Sequence, residues 1–173
     1  ADMFSDFTPY NRSLDKAFGR IHYLYPYWPI PRLYTFLSGF NGTILFVDED
    51  LAIGLDMYLG SDYPYYNHVV YQYQKVSMRA ECIPIDVVSA YLFLHVPYTS
   101  SKNRLLDCML YRGKVMYLLS QIMDNEPDYE IIGYTAEQWK WAESHEREVW
   151  NRMMDKRDLF KTEQLVLTGY LND

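Results

Sequence analysis

The sequence lacks most of the features that mark an enzyme active site or a metal centre. Its two cysteines, Cys82 and Cys108, are too few for a disulfide framework or a zinc knuckle. It contains no glycine-rich phosphate loop and no Gly-x-Ser-x-Gly nucleophile motif. The four histidines lie on separate segments, and His145-Glu146 has no second histidine at zincin spacing. We therefore expect no bound metal, no cofactor and no covalent nucleophile.

Positive charge and long apolar runs are also scarce. There are 16 Lys and Arg residues against 23 Asp and Glu, which gives a formal net charge of −7. A phosphate backbone needs basic residues concentrated on one face, so we expect no nucleic acid partner. The longest apolar stretch, residues 87–96, is interrupted by Ser89 and His95 and is about half of the roughly 20 residues that a bilayer-spanning helix needs. No segment of this chain is therefore expected to cross a membrane.

Aromatic residues, in contrast, are abundant. The chain has 18 tyrosines, and hydrophobic residues make up 49% of its 173 residues. This length and composition predict one folded domain, residues 1–173, with a substantial core. Because a tyrosine combines an apolar ring with a hydroxyl group, such residues serve either a core or a partner surface. Composition leaves both interpretations open.

Periodicity and turn residues predict an α+β fold, with several helices packed around a small antiparallel sheet. The predicted helices are residues 8–25, 84–95, 101–123 and 135–157, and the predicted strands are 32–38, 43–47 and 52–59. The helix at 84–95 is apolar nearly all round and should be central. Residues 71–78 are interpreted as extended, and Gly113 is expected to mark a place where another part of the chain packs closely. Apolar side chains at Trp139, Ala142, Val149, Trp150 and Met153 should face inward.

Acidic residues cluster around the predicted hairpin. Asp48, Glu49 and Asp50 form its turn, and an acidic turn is most often simply solvated. Asp56 lies among apolar residues of the second strand, so we expect it to accept buried hydrogen bonds. With Asp62 and His68 it offers a candidate hydrolase site, provided that the three side chains converge in one pocket.

Several sequence strings resemble a known family. Residues 34–42 read Tyr-Thr-Phe-Leu-Ser-Gly-Phe-Asn-Gly, and residues 53–66 read Ile-Gly-Leu-Asp-Met-Tyr-Leu-Gly-Ser-Asp-Tyr-Pro-Tyr-Tyr. Further matching strings lie at 83–86, 105–109, 113–119 and 132–135. Together they resemble the GldB family of gliding-motility lipoproteins of Bacteroidetes. The resemblance implies an outer-membrane lipoprotein of the cell envelope, held only by a lipid anchor outside this chain. Because family members are longer, this chain is expected to be a fragment of such a lipoprotein.

The same resemblance extends distantly to predicted zinc metallopeptidases. In those proteins an edge strand precedes a helix with a His-Glu-x-x-His motif, and a later helix supplies a glutamate. The corresponding helices here are 84–95 and 101–123, which lack a ligand pair at 86–90 and a glutamate at 111–114. Without ligands no metal can activate water. The resemblance thus implies a degenerate zincin-like scaffold, an inactive peptidase homologue.

Three functions remain open at this stage. The first is a non-enzymatic envelope protein whose peptidase-like groove holds an envelope protein or peptide along an edge strand at 52–59. The second is the acidic hydrolase, and the third is a glycan-binding protein that stacks sugars on a row of tyrosines. The groove residues predicted for the first are Asp56, Tyr58, Asp62, Tyr63, Tyr65 and Tyr66.

Overall fold

The computed structural model describes residues 3–171. In this part of the chain seven α-helices accompany a three-stranded sheet, which confirms the predicted α+β class. The helices are α1 Thr8–Leu24, α2 Tyr66–Val69, α3 Ile83–His95, α4 Leu105–Ile122, α5 Asp128–Ile131, α6 Ala136–Asp155 and α7 Gln164–Leu171, and the strands are β1 Leu33–Phe36, β2 Ile44–Val47 and β3 Asp50–Gly54.

Helix α3 forms the centre of the main core, as its all-round apolar sequence predicts. It contacts α1, α4 and the strands β2 and β3. Helix α1 packs against it through side chains three and four residues apart, namely Leu14, Ala17, Phe18 and Ile21. The ring of Phe18 meets the ring of Tyr91 edge to face at a centroid distance of 5.2 Å. The central position predicted for this helix is confirmed.

The sheet differs from the prediction in topology. Its strand order is β1-β3-β2, with β1 parallel and β2 antiparallel to β3, so the sheet is mixed rather than wholly antiparallel. Strand β3 lies between the other two and is hydrogen-bonded on both sides. The prediction of an edge strand at residues 52–59 is therefore wrong, because β1 occupies the side of β3 that a hairpin alone would leave open.

Strand β3 is also shorter than predicted and ends at Gly54. A side chain at this position would place its Cβ 2.3 Å from the carbonyl oxygen of Gly42, so only glycine fits. The Gly54 N–H donates to the carbonyl oxygen of Thr43 at 2.8 Å. Beyond it the chain turns into a 3-10 helix, Leu55–Met57, so Asp56 lies in a turn and not in a strand.

Two further local predictions are wrong. Residues 71–78 are not extended, because Gln74–Ser77 forms a 3-10 helix. Gly113 lies exposed on α4, and a Cβ added there would meet no atom within 4 Å, so nothing packs closely against it. Helix α4 also begins later than predicted. Arg104, not Ser101, precedes its first turn and pairs with Asp107 there.

Helix α6 begins as predicted but packs differently. Thr135 accepts a hydrogen bond from the Gln138 N–H, and the Gln138 side chain accepts one from the Thr135 N–H, which confirms the capping box. Of its predicted inward residues only Met153 is buried, in a small second core with Leu105 and Leu159. The prediction of a long buried face is wrong, since Val149 and Trp150 are exposed and Trp139 and Ala142 are only partly buried.

Candidate partner-binding site

The Asp56 carboxylate fixes the loop that joins β1 to β2. It is almost wholly buried and accepts hydrogen bonds from the Ser38 N–H at 2.8 Å, the Ser38 hydroxyl at 2.9 Å and the Phe40 N–H at 2.8 Å. Burial by itself would raise the pKa of Asp56, but the hydrogen bonds from Ser38 and Phe40 hold it below its usual value. The predicted buried hydrogen bonds are confirmed, and this carboxylate anchors a loop.

The anchored loop has an unusual backbone. Gly39 and Phe40 both adopt left-handed conformations, with φ of 66° and 61°. For a residue with a side chain, such as Phe40, this conformation costs about 1–3 kcal/mol. The hydrogen bond from the Phe40 N–H to the Asp56 carboxylate helps to maintain this conformation. The resulting direction places the Phe40 ring 4.5 Å from the ring of Tyr65 and 6.1 Å from that of Tyr63, measured between centroids.

The predicted groove tyrosines divide into two groups. Tyr58 and Tyr66 are wholly buried, so their assignment to a groove rim is wrong. Their rings lie in the core, and each hydroxyl has a hydrogen-bond acceptor there: Tyr66 donates to the Asp56 carbonyl oxygen at 2.8 Å, and Tyr58 donates to the Asp86 carboxylate at 2.8 Å. Tyr63 and Tyr65 are 38% and 47% exposed and remain accessible.

A cavity of about 580 Å³ lies between the Phe40 loop, the start of β2 and one face of α3. Phe40 contributes to its wall and also contacts the exposed tyrosines, so the cavity and these rings are neighbours. The wall mixes apolar side chains with amides and hydroxyls. It is formed by Phe40, Asn41, Gly42, Thr43, Ile44, Met57, Val69, Val70, Gln74, Ser77, Met78, Asp86, Ser89, Ala90 and Phe93.

Asp86 is the ionisable side chain in this wall, and the sequence-based site did not include it. It lies in the first turn of α3, and burial raises its pKa to about 7 despite the opposing hydrogen bond from the Tyr58 hydroxyl. The sequence did contain a signal for this residue, because Asp86 is the single acidic residue in a helix whose apolar sequence predicts burial. A carboxylate in such a helix requires either a partner or an opening to solvent.

Strand β2 supplies a free sheet edge beside the cavity. It lies at the end of the strand order, and Leu45, Phe46 and Val47 are all exposed. Because Thr43 and Gly54 form a hydrogen-bonded pair, the antiparallel alternation turns the backbone groups of Ile44 and Phe46 towards the open side. Exposed apolar edge strands are rare on soluble proteins and readily pair with another chain.

The acidic hydrolase site predicted from Asp56, Asp62 and His68 does not assemble. The Asp56 carboxylate accepts hydrogen bonds from the 38–40 loop, whereas Asp62 and His68 are exposed. None of these three residues lines the cavity. Asp50, from the acidic turn, pairs with Arg32 at 2.8 Å. Within residues 3–171 no group of three or more His, Cys, Asp and Glu side chains is arranged to hold a metal ion. The absence of a bound metal stays a prediction.

A second depression, of about 650 Å³, lies along α6. Its lining residues all come from α6 and from Lys156, which directly follows that helix. His145 stacks on Trp141 there, at a centroid distance of 4.4 Å. A depression without a second wall can enclose little of a ligand, so the cavity beside β2 is the stronger candidate site.

The family of the chain follows from a match to a protein-family model. The model of the family described as gliding motility protein GldB matches residues 1–173. The chain belongs to the GldB family. This confirms the resemblance seen in the sequence, and the lipoprotein designation of the family indicates a location in the cell envelope. No curated protein and no solved structure matches the GldB-family chain. Among the helices of residues 3–171, none combines the length and the apolar character of a membrane-spanning segment.

Proposed function

We propose that this GldB-family chain is a non-enzymatic envelope protein that binds an extended segment of another envelope protein along the free edge of β2. The observation that carries the proposal is the exposed apolar edge of β2 beside the cavity. An extended segment paired with β2 would satisfy the outward backbone groups of Ile44 and Phe46, and alternate side chains would enter the cavity. Strand β2 thus takes the role of the edge strand that was predicted at residues 52–59.

The geometry around α3 supports an inactive peptidase-like cleft. In the arrangement that the zinc-peptidase resemblance implies, a helix beside a sheet edge carries two metal ligands four residues apart. Asp86 and Ala90 have this spacing, and both line the cavity next to β2. Alanine has no atom that can bind a metal, so the two positions do not form a ligand pair. We include in the proposal an outer-membrane location through a lipid anchor outside this chain.

Blocking the β2 edge tests the proposal. In Phe46→Pro the outward N–H is lost while the bonds to β3 are kept, because Phe46 lies at a position that does not donate to β3. The control, Phe46→Ala, removes the ring but keeps the N–H. Affinity capture from envelope extracts with the full-length lipoprotein is expected to recover a partner with the wild type and with Phe46→Ala, and to lose it with Phe46→Pro.

Hydrogen exchange on the captured complex provides the direct measurement. Pairing along β2 should slow exchange at the Ile44 and Phe46 amides, which face away from β3. A captured partner that leaves exchange at both amides unchanged would show that binding occurs elsewhere and would remove the proposal.

A further inference from the structure

The cavity beside β2 contains one acidic group without a cationic partner. Asp86 lines the cavity, whereas none of the residues described in its wall is a lysine, an arginine or a histidine. The nearby bases are committed to other partners, because Lys75 binds the Asn67 side chain and Arg79 pairs with Glu130. Within residues 3–171 the Tyr58 hydroxyl is the hydrogen-bond donor to the Asp86 carboxylate, through Oδ2. The residue remains partly accessible from the cavity.

We propose that this cavity receives a basic side chain, that of a lysine or arginine, from the segment that pairs with β2, and that the Asp86 carboxylate is its counter-ion. This inference rests on the proposed function and specifies the chemistry of the partner. The partner segment then combines an extended backbone with a cation at the position that faces α3.

The composition of the wall fits such a side chain. Ile44 and Phe93 offer apolar surface for the aliphatic stem of a lysine or arginine. Asn41, Thr43 and Ser89 offer polar atoms for its charged head. An acidic side chain would meet the Asp86 carboxylate, and a neutral one would leave that carboxylate without a charge partner.

The groups that face Asp86 from neighbouring elements stay uncharged near neutral pH. Tyr58, which follows β3, and Cys82, which precedes α3, both have raised pKa values because they are buried, that of Cys82 reaching about 12. The carboxyl of Asp86 itself ionises near pH 7. A cation that needs the ionised carboxylate should therefore bind about tenfold more tightly at pH 8 than at pH 6, following the ionised fraction.

Three blocked peptides test the inference. The probes are acetyl-Thr-Val-Xaa-Val-Thr-amide with lysine, norleucine or glutamate at Xaa, and norleucine has the aliphatic chain of lysine without its ammonium group. Calorimetry with the full chain at pH 8 is expected to show the lysine peptide binding at least about tenfold more tightly than the norleucine peptide. The glutamate peptide should bind most weakly.

Two variants assign this preference to Asp86. Asp86→Asn keeps an acceptor for Tyr58 but removes the charge, and it should reduce the preference for lysine over norleucine to nearly one. Glu49→Gln removes the same charge from the exposed hairpin turn and should leave the preference unchanged. Circular dichroism and the thermal midpoint establish that each variant is folded.

A titration with n-butylammonium, followed through the carboxyl carbon signal of Asp86, probes the cavity without strand pairing. If butylammonium binds and none of the peptides does, the cation site is supported and the proposed pairing along β2 is overturned. Equal binding of the lysine and norleucine peptides, abolished by Phe46→Pro, supports the pairing and overturns the cation site. If neither butylammonium nor a peptide binds, both are overturned.

Discussion

The carboxylates of Asp56 and Asp86 have pKa values that are shifted in opposite directions. The three hydrogen bonds to Asp56 outweigh the cost of its burial and keep its pKa low. Asp86 receives a single hydrogen bond, so burial dominates and its pKa rises to about 7. The first residue therefore stabilises the fold in its ionised form, whereas ionisation of the second is unfavourable until a cation joins it.

Removing the Asp56 carboxylate should destabilise the fold. In Asp56→Ala three donors of the 38–40 loop lose their acceptor, and we expect the free energy of unfolding to fall by about 1–3 kcal/mol in urea denaturation. Glu49→Ala, at the exposed turn, should change it by less than about 0.5 kcal/mol. Unchanged stability of Asp56→Ala would show that the 38–40 loop does not depend on these hydrogen bonds.

Replacing Asp86 should have an effect that depends on pH. Its pKa is raised from 3.8 to about 7, so the folded protein holds this proton more tightly than the unfolded chain does. Ionisation therefore destabilises the wild type progressively as pH rises from about 4 to about 7. Relative to the wild type, Asp86→Asn should gain on the order of 1–3 kcal/mol between pH 4 and pH 8.

Urea denaturation across this pH range measures the difference. Because both proteins retain Asp56, whose low pKa acts in the opposite direction, the difference isolates Asp86. A difference that does not change with pH would mean that Asp86 ionises as readily in the fold as in the unfolded chain.

Among the secondary-structure elements, the sequence predicted correctly those features that depend on interactions between neighbouring residues. The capping box at Thr135 is sufficient to predict where α6 begins. The apolar sequence of α3 is sufficient to predict that this helix is central. The alternation in residues 52–59 carried no information about which strands flank β3, because that depends on where β1 enters the sheet. The requirement for glycine at position 54 comes from the carbonyl oxygen of Gly42, twelve residues earlier, and the sequence pattern did not indicate it either.

Two glycines that look alike in the sequence should respond oppositely to alanine. Gly54→Ala forces a Cβ against the Gly42 carbonyl oxygen and should lower the free energy of unfolding by about 1–3 kcal/mol. Gly113→Ala meets no atom within 4 Å on an exposed helix and should raise it by about 0.5–1 kcal/mol. Chemical denaturation of both variants measures these changes in the free energy of unfolding. An unchanged stability of Gly54→Ala would show that the 38–42 loop can move away from β3.

For the molecule as a whole, the candidate binding surface combines groups that no single element contains. The edge of β2, the Asp86 carboxylate of α3 and the tyrosines before α2 meet around Phe40, whose backbone is held by Asp56. The sequence predicted Tyr63 and Tyr65 for this surface but also included Tyr58 and Tyr66. Which rings turn inward depends on hydrogen-bond acceptors such as the Asp86 carboxylate and the Asp56 carbonyl oxygen, and the tertiary fold brings these to the rings.

The accessible tyrosines should contribute to partner binding more than to stability. Replacing Tyr63 and Tyr65 together with Ala removes two aromatic anchors beside the cavity, and aromatic residues dominate interface energies. We expect capture of the envelope partner to weaken by at least about 2 kcal/mol, roughly thirtyfold in Kd. The thermal midpoint should stay nearly unchanged, because both rings are already partly exposed.

A second exposed pair of rings provides the matched control. Tyr71 and Tyr73 stack on each other at a centroid distance of 5.8 Å, and neither contacts Phe40 among the described ring pairs. The Tyr71→Ala, Tyr73→Ala variant should therefore keep its affinity for the partner. Suppose instead that the Tyr63, Tyr65 variant loses much of its thermal stability while its affinity per folded molecule is unchanged. The two rings would then serve to hold Phe40 in its strained conformation, and the binding surface would reduce to the β2 edge and the cavity.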